Sequence, residues 1–372
     1  MSINVLQLLK KYESNAPLIN NMVKQDSAEV NTYACYLSGE PGGNDMDTIA
    51  KKVFYCRIRK KDNNWNKLST LKKVAKIIDE NSIDVVVCQF RRPIPIGVLA
   101  AAISKRKPKV VGVLHGIVGG KVGVVRKLIN FFVYRRLAKL ISVSNNGIAD
   151  IMKHNVGLRA DSIAAVQNGL DCQRFLLPRT EARVDIVKEI EADDFVFAMI
   201  GRLAPVKNHV RLIHAFNAVA ASMPEAKLLI VGSGPLEAQL KSIVAELPTR
   251  SQIKFLGYRE DIPALLKCID VYLMPSAREG LPMALMEAMV SGVPVITSDR
   301  GGMKEVVGDT KCGYLIDPDS IDNMAAALSK MLAHSATERE AMGNNAKTRI
   351  LENFTAEKMA DAYETIYKQV TN

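Results

Sequence analysis

Short runs of β-branched and aliphatic residues alternate with longer amphipathic stretches along almost the whole chain. In the first half the runs stand at 3–9 (INVLQLL), 52–58 (KVFYCRI), 84–90 (DVVVCQF), 109–116 (KVVGVLHG), 139–144 (KLISVS) and 162–169 (SIAAVQNG). Stretches of helical spacing lie between them, among them LSTLKKVAKIIDEN and KVGVVRKLINFFVYRRL. Uninterrupted apolar strands that alternate with helices predict a parallel sheet covered on both faces. After Asp171 the alternation stops. The stretch CQRFLLPRTEARVDIVKEIEADD carries a proline and mixed charges without a clear strand, and reads as a linker with a short helix. Strand-like runs resume at 195–202, 227–234, 253–258, 270–276, 294–299 and 313–317, and from Ser320 the pattern is helical. The expectation is two α/β domains of similar size, residues 1–175 and 176–355.

A length of 372 residues suits two cores rather than one, and 48% hydrophobic with 24% charged residues is a globular balance. No run of about 18 apolar residues predicts a membrane-crossing helix. The N-terminal MSINVLQLLKKYESN has too short an apolar core for a signal peptide and no small-residue cleavage site. The expected location is cytoplasmic, with contact to the inner face of the cytoplasmic membrane. Six cysteines at 35, 56, 88, 172, 268 and 312 have no zinc-ligand spacing and read as reduced, buried thiols. The net charge of +11 is uneven: residues 1–175 hold 28 Lys and Arg against 13 Asp and Glu, the remainder 22 against 26. A basic half calls for an anionic partner.

Ligands of open parallel sheets bind beyond the carboxyl ends of the strands, so the polar residues there carry the candidate chemistry. The run at 195–202 ends in Gly201 and Arg202, with Lys207 close behind. Glycine admits a close backbone approach, arginine offers a planar fork and lysine a mobile charge, a set suited to a pyrophosphate. The run at 227–234 ends in Gly232-Ser233-Gly234-Pro235. It lacks the third glycine of a dinucleotide fingerprint and reads as a tight turn whose backbone must approach something closely. The run at 270–276 leads into PSAREGLPMALMEAM. Pro282 suits a helix first turn, and the helix would end near Val290. Its N-terminus is an anion site with Glu279 just ahead of it. Glu287 stands eight residues on, about 80° past two full turns, among Leu285, Met286, Ala288 and Met289. A carboxylate so placed reads either as an exposed face or as a grip on a hydroxyl pair. His115 emerges at the end of the run at 109–116. Asp317-Pro318-Asp319 has the spacing of a metal motif, yet it precedes a helix and reads as a turn with an N-cap, so no metal is expected.

The segment 121–140 holds six basic residues and no acidic one. Lys121, Arg126, Lys127, Arg135, Arg136 and Lys139 accompany Val124, Val125, Leu128, Ile129, Phe132 and Val133 at near-helical spacing. Such a helix either docks on an anionic membrane surface or packs on its own sheet with a basic outer face, and the two are compatible.

Together, Gly201-Arg202…Lys207, IVGSGP, FLGYRED, the Glu279-x7-Glu287 spacing in EGLPMALMEAM, and SGVPVITSDRGGMKEVV resemble the retaining GT-B glycosyltransferases of the GT4 family. The resemblance is strong over about 195–317 and looser in the first half, through LHG and VQNGLD. It implies an α/β GT-B fold, two Rossmann-like domains facing a central cleft. The first would bind the acceptor, the second the nucleotide-sugar donor, and a final helix at about 356–372 would cross back to the first. It further implies that Arg202 and Lys207, beside Gly201, hold the donor diphosphate. Glu279 would contact the transferred sugar beside the amides of Gly280 and Leu281, and Glu287 would bind the ribose diol. Tyr258 and Arg259 would border the base, and His115 would reach the donor sugar. The catalytic pair would be Glu279 and His115. One departure stands out: the family often has a glycine pair after the first strand, where this chain has Ser14-Asn15-Ala16.

The expected activity is metal-independent, cofactor-free transfer of a sugar, most simply from a UDP-sugar, to a growing lipid-linked glycan such as lipopolysaccharide or exopolysaccharide. The expected partners are the nucleotide-sugar, the glycan or glycolipid acceptor and an anionic membrane surface. A GT-B nucleotide-sugar epimerase and a non-catalytic nucleic-acid or anion-binding module are the alternatives. The basic half lacks the interleaved aromatics of a nucleic-acid platform, which argues against the last.

Overall fold

A computed structural model describes residues 2–11, 17–23, 27–39, 45–58, 68–116, 130–154, 158–178 and 183–372. The chain divides into two compact units. One comprises residues 1–169 with 356–372, the other residues 170–355.

The first unit is built on a seven-stranded parallel sheet. Its strands are β1 (Ile3–Lys11), β2 (Val30–Ser38), β3 (Lys52–Tyr55), β4 (Val85–Gln89), β5 (Lys109–Leu114), β6 (Lys139–Ser142) and β7 (Ile163–Ala165), in the order β3-β2-β1-β4-β5-β6-β7. The order reverses between β1 and β4. The expected strand runs all appear, but β2 was absent from the sequence pattern. Its sequence, VNTYACYLS, carries its apolar character in Tyr, Ala and Cys and is broken by Asn31 and Thr32. Tertiary burial between β1 and β3 makes it a strand, and Tyr33 to Leu37 are all buried. The Leu68–Glu80 helix buries Leu71, Val74, Ala75 and Ile78 at i, i+3, i+4 and i+7 spacing. The helix Ala356–Thr371 belongs to this unit. Tyr367 bonds Gln7 of β1, Lys368 pairs with Glu29, and Met359 Sδ accepts from the Gly169 amide.

The second unit carries a six-stranded parallel sheet of β8 (Phe195–Ile200), β9 (Ala226–Val231), β10 (Ile253–Gly257), β11 (Val271–Met274), β12 (Val295–Ser298) and β13 (Gly313–Ile316). Its order is β10-β9-β8-β11-β12-β13, with the reversal between β8 and β11. All six match the runs read from the sequence. The expected linker holds two short helices, Gln173–Leu176 and Arg183–Ile186. Arg183 fastens it by donating to Asp270 Oδ2 and to the Cys268 carbonyl, each at 2.9 Å. Ser335 and Glu338 form a reciprocal capping box that starts the Ala336–Asn353 helix. All six cysteines are free and buried. Among the described residues no helix is long and apolar enough to cross a membrane.

The glycines of IVGSGP serve the packing of two loops. A Cβ on Gly232 would lie 2.1 Å from the Gly201 carbonyl oxygen, and one on Gly234 2.4 Å from that of Leu203. Leu203 N–H donates to the Ser233 carbonyl at 3.0 Å, and Leu236 N–H to Leu203 at 3.1 Å. The close approach expected of this turn is therefore to the loop after β8. Gly232 also has φ 126°, a region open to glycine. Gly232→Ala should cost at least about 2 kcal/mol in urea unfolding, from backbone strain and overlap together. A midpoint matching the parent protein would show that the two loops are not tied in this way.

Candidate functional site

β8 and β11 are neighbours at the point where the strand order of the second unit reverses, which opens a crevice beyond their carboxyl ends. β8 runs out through Gly201 and Arg202 into a single 3-10 turn, Pro205–Lys207. Asn208 then takes a left-handed backbone, φ 64°, and its side-chain Nδ2 donates to the Pro318 carbonyl at 2.5 Å. The turn is thereby fixed before the His209–Ala220 helix starts. From β11 the chain passes Ser276, and the Ala277 amide donates to the Val206 carbonyl at 2.8 Å, joining the two strand-end loops. Glu279 follows, then Pro282 at the N-cap and the helix Met283–Val290, the span expected from the sequence.

This construction brings Lys207 and Glu279 together. Lys207 Nζ lies 2.9 Å from Glu279 Oε1, both side chains about four-fifths buried. The pair is electrostatic: Glu279 Oε1, itself buried, receives no aligned hydrogen bond among the described residues. Gly201 stands beside the lysine, since a Cβ there would come 3.5 Å from Lys207 Cε and Nζ. Arg202 is exposed and makes no ion pair among the described residues. The Met283–Val290 helix receives no side-chain cap at its N-terminus, so its first-turn amides are open to an anion. Gly280 is pressed against the next helix. A Cβ on Gly302 would fall 1.6 Å from the Gly280 carbonyl oxygen, and the Gly302 amide donates to the Glu279 carbonyl at 3.3 Å. Leu281 is buried beneath.

Glu287 is partly buried on the same helix. Burial raises its carboxyl pKa, an effect only partly offset by Arg174 of the linker. Tyr272 of β11, which sequence reasoning missed, is fully buried and donates to the Ile200 carbonyl at 3.2 Å. Its pKa is raised well above the ordinary phenol value by burial, then by Glu287 and Glu279. Both carboxylates therefore act on one neighbourhood around Tyr272. Ser276, also missed, is fully buried and its hydroxyl has no partner among the described residues. The signal was present: a serine two residues past the end of an apolar strand.

Tyr258 stands at the end of the edge strand β10 and is 70% exposed. Arg259 is engaged locally, with Nε on Asp261 at 2.7 Å and a terminal nitrogen on the Ile186 carbonyl at 2.9 Å. Asp317 and Asp319 are both bonded by Arg300, at 2.7 and 2.6 Å, and Ser320 caps the next helix by accepting from the Asn323 amide. The turn-and-cap reading of Asp317-Pro318-Asp319 is the one observed.

In the first unit His115 follows β5. Its Nε2 lies 2.7 Å from Gln89 Oε1 and its ring 4.4 Å from that of Phe90. Ser14, Asn15, Ala16, Lys121, Arg126 and Lys127 lie outside the described residues. Of the basic segment, Phe132 is 58% exposed with Arg135 and Arg136 beside it, whereas Val133, Tyr134 and Leu137 enter the core. Val133 packs inward with Tyr134 and Leu137, as the reading of a segment lying on its own sheet with a basic outer face expects. Lys139 opens β6, where the expected run at 139–144 begins, and its ammonium donates to the Asp161 carbonyl at 2.7 Å, so it is not part of a basic helix face.

Two outcomes follow from this electrostatic arrangement. A desolvated Glu287 destabilises the folded protein above its raised pKa, so Glu287→Gln should melt at a higher temperature at pH 7. A lower melting temperature would show that the carboxylate is well solvated. His209 is buried with both ring nitrogens unpartnered among the described residues. Burial first, then Lys207, depresses its pKa to about 4, and the helix N-terminus it occupies disfavours the imidazolium as well. Its pKa is depressed on folding, so stability is fully present above about pH 6.5 and falls as the pH drops toward 4. The expected loss is about 3 kcal/mol, and His209→Phe should reduce that slope in denaturation measured from pH 7 to 4.

The family profile described as Glycosyl transferases group 1 matches residues 182–349, and Glycosyltransferase Family 4 matches residues 28–174. The chain is 26% identical over 309 residues to an Escherichia coli UDP-Gal:alpha-D-GlcNAc-diphosphoundecaprenol alpha-1,3-galactosyltransferase, covering 81% of this chain and 79% of that protein. It is 27% identical over 307 residues to the N-acetyl-alpha-D-glucosaminyl L-malate synthase of Bacillus anthracis, covering 82% and 79%. Among solved structures, Anabaena HepE in complex with UDP and glucose superposes with a TM-score of 0.83 at 18% identity, over 99% of this chain and 100% of that one. The two parallel Rossmann-like sheets are those of the GT-B fold, and the chain belongs to the GT4-type glycosyltransferases.

Proposed function

We propose that this glycosyltransferase transfers a sugar, with retention, from a nucleotide diphosphate donor to a growing lipid-linked glycan. The observation that carries the donor half is the Lys207–Glu279 pair at the strand-order reversal, beside a helix N-terminus that no side chain caps. In the free protein the carboxylate partly neutralises the lysine. A diphosphate arriving at the uncapped amides offers Lys207 a stronger partner and leaves Glu279 beside the sugar. Arg202 adds a second cation and Glu287 takes the ribose diol. Negative charge grows on the leaving diphosphate in the transition state, and groups already aimed at it lower the barrier without reorganising. Lys207, Arg202 and the helix N-terminus supply that charge, so the reading needs no metal. The leaving phosphate would help deprotonate the acceptor hydroxyl on the same face.

UDP is the favoured nucleotide. The names of the E. coli relative and of the Anabaena complex both carry a uridine diphosphate. A lipid-linked acceptor is favoured by the diphosphoundecaprenol substrate of that relative and by exposed Phe132, Arg135 and Arg136, which suit an anionic membrane surface. The protein would then work at the cytoplasmic face of the membrane.

A thermal-shift panel of UDP, GDP, ADP, CMP and dTDP tests the donor. At a concentration one hundred times its Kd, the matching nucleotide stabilises by about 2.7 kcal/mol. UDP should give the largest shift, and a flat panel would remove the donor assignment. Lys207→Ala and Glu279→Ala should each lower kcat by about 10²–10³-fold while the protein stays folded. Rates near the parent in both would move the site elsewhere.

A further inference from the structure

Two of the six cysteines meet inside the first unit. Cys35 lies in β2, and Cys56 directly follows β3, the strand at the edge of the sheet. Cys35 is in register with Phe54, and side chains two residues apart along a strand share a face, so Cys56 stands one step further along the face of Cys35. Both side chains enter one apolar cluster with Leu37, Leu71 and Val74, and their sulfurs are 3.7 Å apart.

The surroundings of the two sulfurs differ. Cys35 is completely buried, whereas Cys56 is 6% exposed and is followed by the exposed Arg57. Lys73, exposed on the Leu68–Glu80 helix, acts on Cys56. Negative charge therefore costs less on the Cys56 sulfur than on that of Cys35, so the Cys35 S–H donates and the Cys56 sulfur accepts. This hydrogen bond draws the Cys56 thiol below its ordinary range against the opposing effect of burial, and Lys73 draws it the same way. Cys35, as the donor, is pushed well above that range by the same bond first and by burial second. Burial pushes Cys88 and Cys312 up as well, so Cys56 differs in direction from them. The thiolate is the reactive form of cysteine, and a reactive thiolate beside a second thiol can pass an oxidised sulfur on to a disulfide.

We propose that Cys56 and Cys35 form a modification site, a dithiol that hydrogen peroxide converts to a disulfide with Cys56 as the attacking and Cys35 as the resolving sulfur. The Cys56 thiolate attacks one peroxide oxygen. An S–O bond forms, the O–O bond breaks and hydroxide leaves, so that Cys56 becomes a sulfenic acid. The Cys35 sulfur then attacks the Cys56 sulfur. The S–S bond forms as the S–O bond breaks, and the hydroxyl departs with the Cys35 proton as water. The two sulfurs together lose two electrons, which the peroxide gains. A dithiol reductant reverses the change by exchange. Sulfurs in contact must still approach to bond, and closure draws the end of β3 toward β2. β3 has a neighbour on one side only, and its last paired residue is Tyr55. The Cys56 amide, which donates to the Tyr36 carbonyl at 2.8 Å, is the ladder bond that this movement loads. The site lies wholly in the first unit and does not depend on the donor assignment above.

Full-length protein treated with graded hydrogen peroxide, then denatured, gives the test. Free thiols should fall by two from six, and non-reducing peptide mapping should join the Cys35 and Cys56 peptides with the loss of two hydrogens. Dithiothreitol should restore all six. Cys35→Ser should leave Cys56 as a sulfenic acid that dimedone captures, and Cys56→Ser should lose no thiol. Six thiols retained at a peroxide level that fully oxidises free cysteine overturns the proposal, as does a bridge to any other cysteine. Dimedone capture at a residue other than Cys56 overturns its role as the attacking sulfur. If a serine variant does not fold, limiting maleimide on the parent protein gives the second reading. Cys56 should react at least about tenfold faster than Cys88, and equal rates overturn the assignment of Cys56 as the reactive thiolate.

Discussion

The site of the second unit depends on backbone meeting backbone where no side chain fits. The loop after β9 lies against the loop after β8 at Gly232 and Gly201, and the start of the Gly301–Val307 helix lies against the loop after β11 at Gly302 and Gly280. A methyl group at Gly232 or Gly302 would sit within 2.1 Å of a carbonyl oxygen. These contacts fix the two loops that carry Lys207 and Glu279. A 2.9 Å approach between a lysine and a glutamate on separate loops would otherwise need two long side chains to be ordered at an entropic cost. Loops already ordered by glycine packing remove most of that cost before any ligand arrives, which is what preorganisation of a charged site requires.

This explains why some of the site was legible in the sequence and some was not. The six strands of the second unit are short aliphatic runs bounded by glycine and proline, so their ends, and hence Gly201, Lys207, Glu279 and the Met283–Val290 helix, could be placed from the pattern. Resemblance to a family then attached roles to them. The glycines of IVGSGP carried a correct physical demand, close backbone approach, but not its object: a period of two or 3.6 says nothing about which loop lies opposite. Tyr272 was invisible for the same reason. A tyrosine inside VYLM reads as one more apolar strand position, and only the fold reveals two carboxylates acting on its hydroxyl.

The first unit was harder to read because its polar residues are inside. β2 escaped notice because two tyrosines and a cysteine, not valines, give it its buried face. Lys139 counted both with the basic segment 121–140 and as the start of the strand run at 139–144; the strand is what forms, and its ammonium is spent on the Asp161 carbonyl. Composition had marked this half as basic, which holds, but net charge cannot say which cations face solvent and which are held by a neighbouring carbonyl.

A buried polar network is tolerable only when its members satisfy one another. From Tyr367 through Gln7 and Gln89 to His115 Nε2 that condition is met, and it fails at one atom, Nδ1, at the carboxyl edge of the sheet. A network that served stability alone would end on a satisfied group or be replaced by aliphatic side chains, since burying two glutamines gains little over well-packed apolar residues. Its unsatisfied end lies at the order reversal of the first sheet, as the Lys207–Glu279 pair lies at that of the second. Each unit thus places an incompletely satisfied polar group near the one place where an open parallel sheet has room for a ligand. The two differ in kind: the second unit presents a lysine–glutamate ion pair there, and the first an imidazole whose pKa burial depresses to about 4.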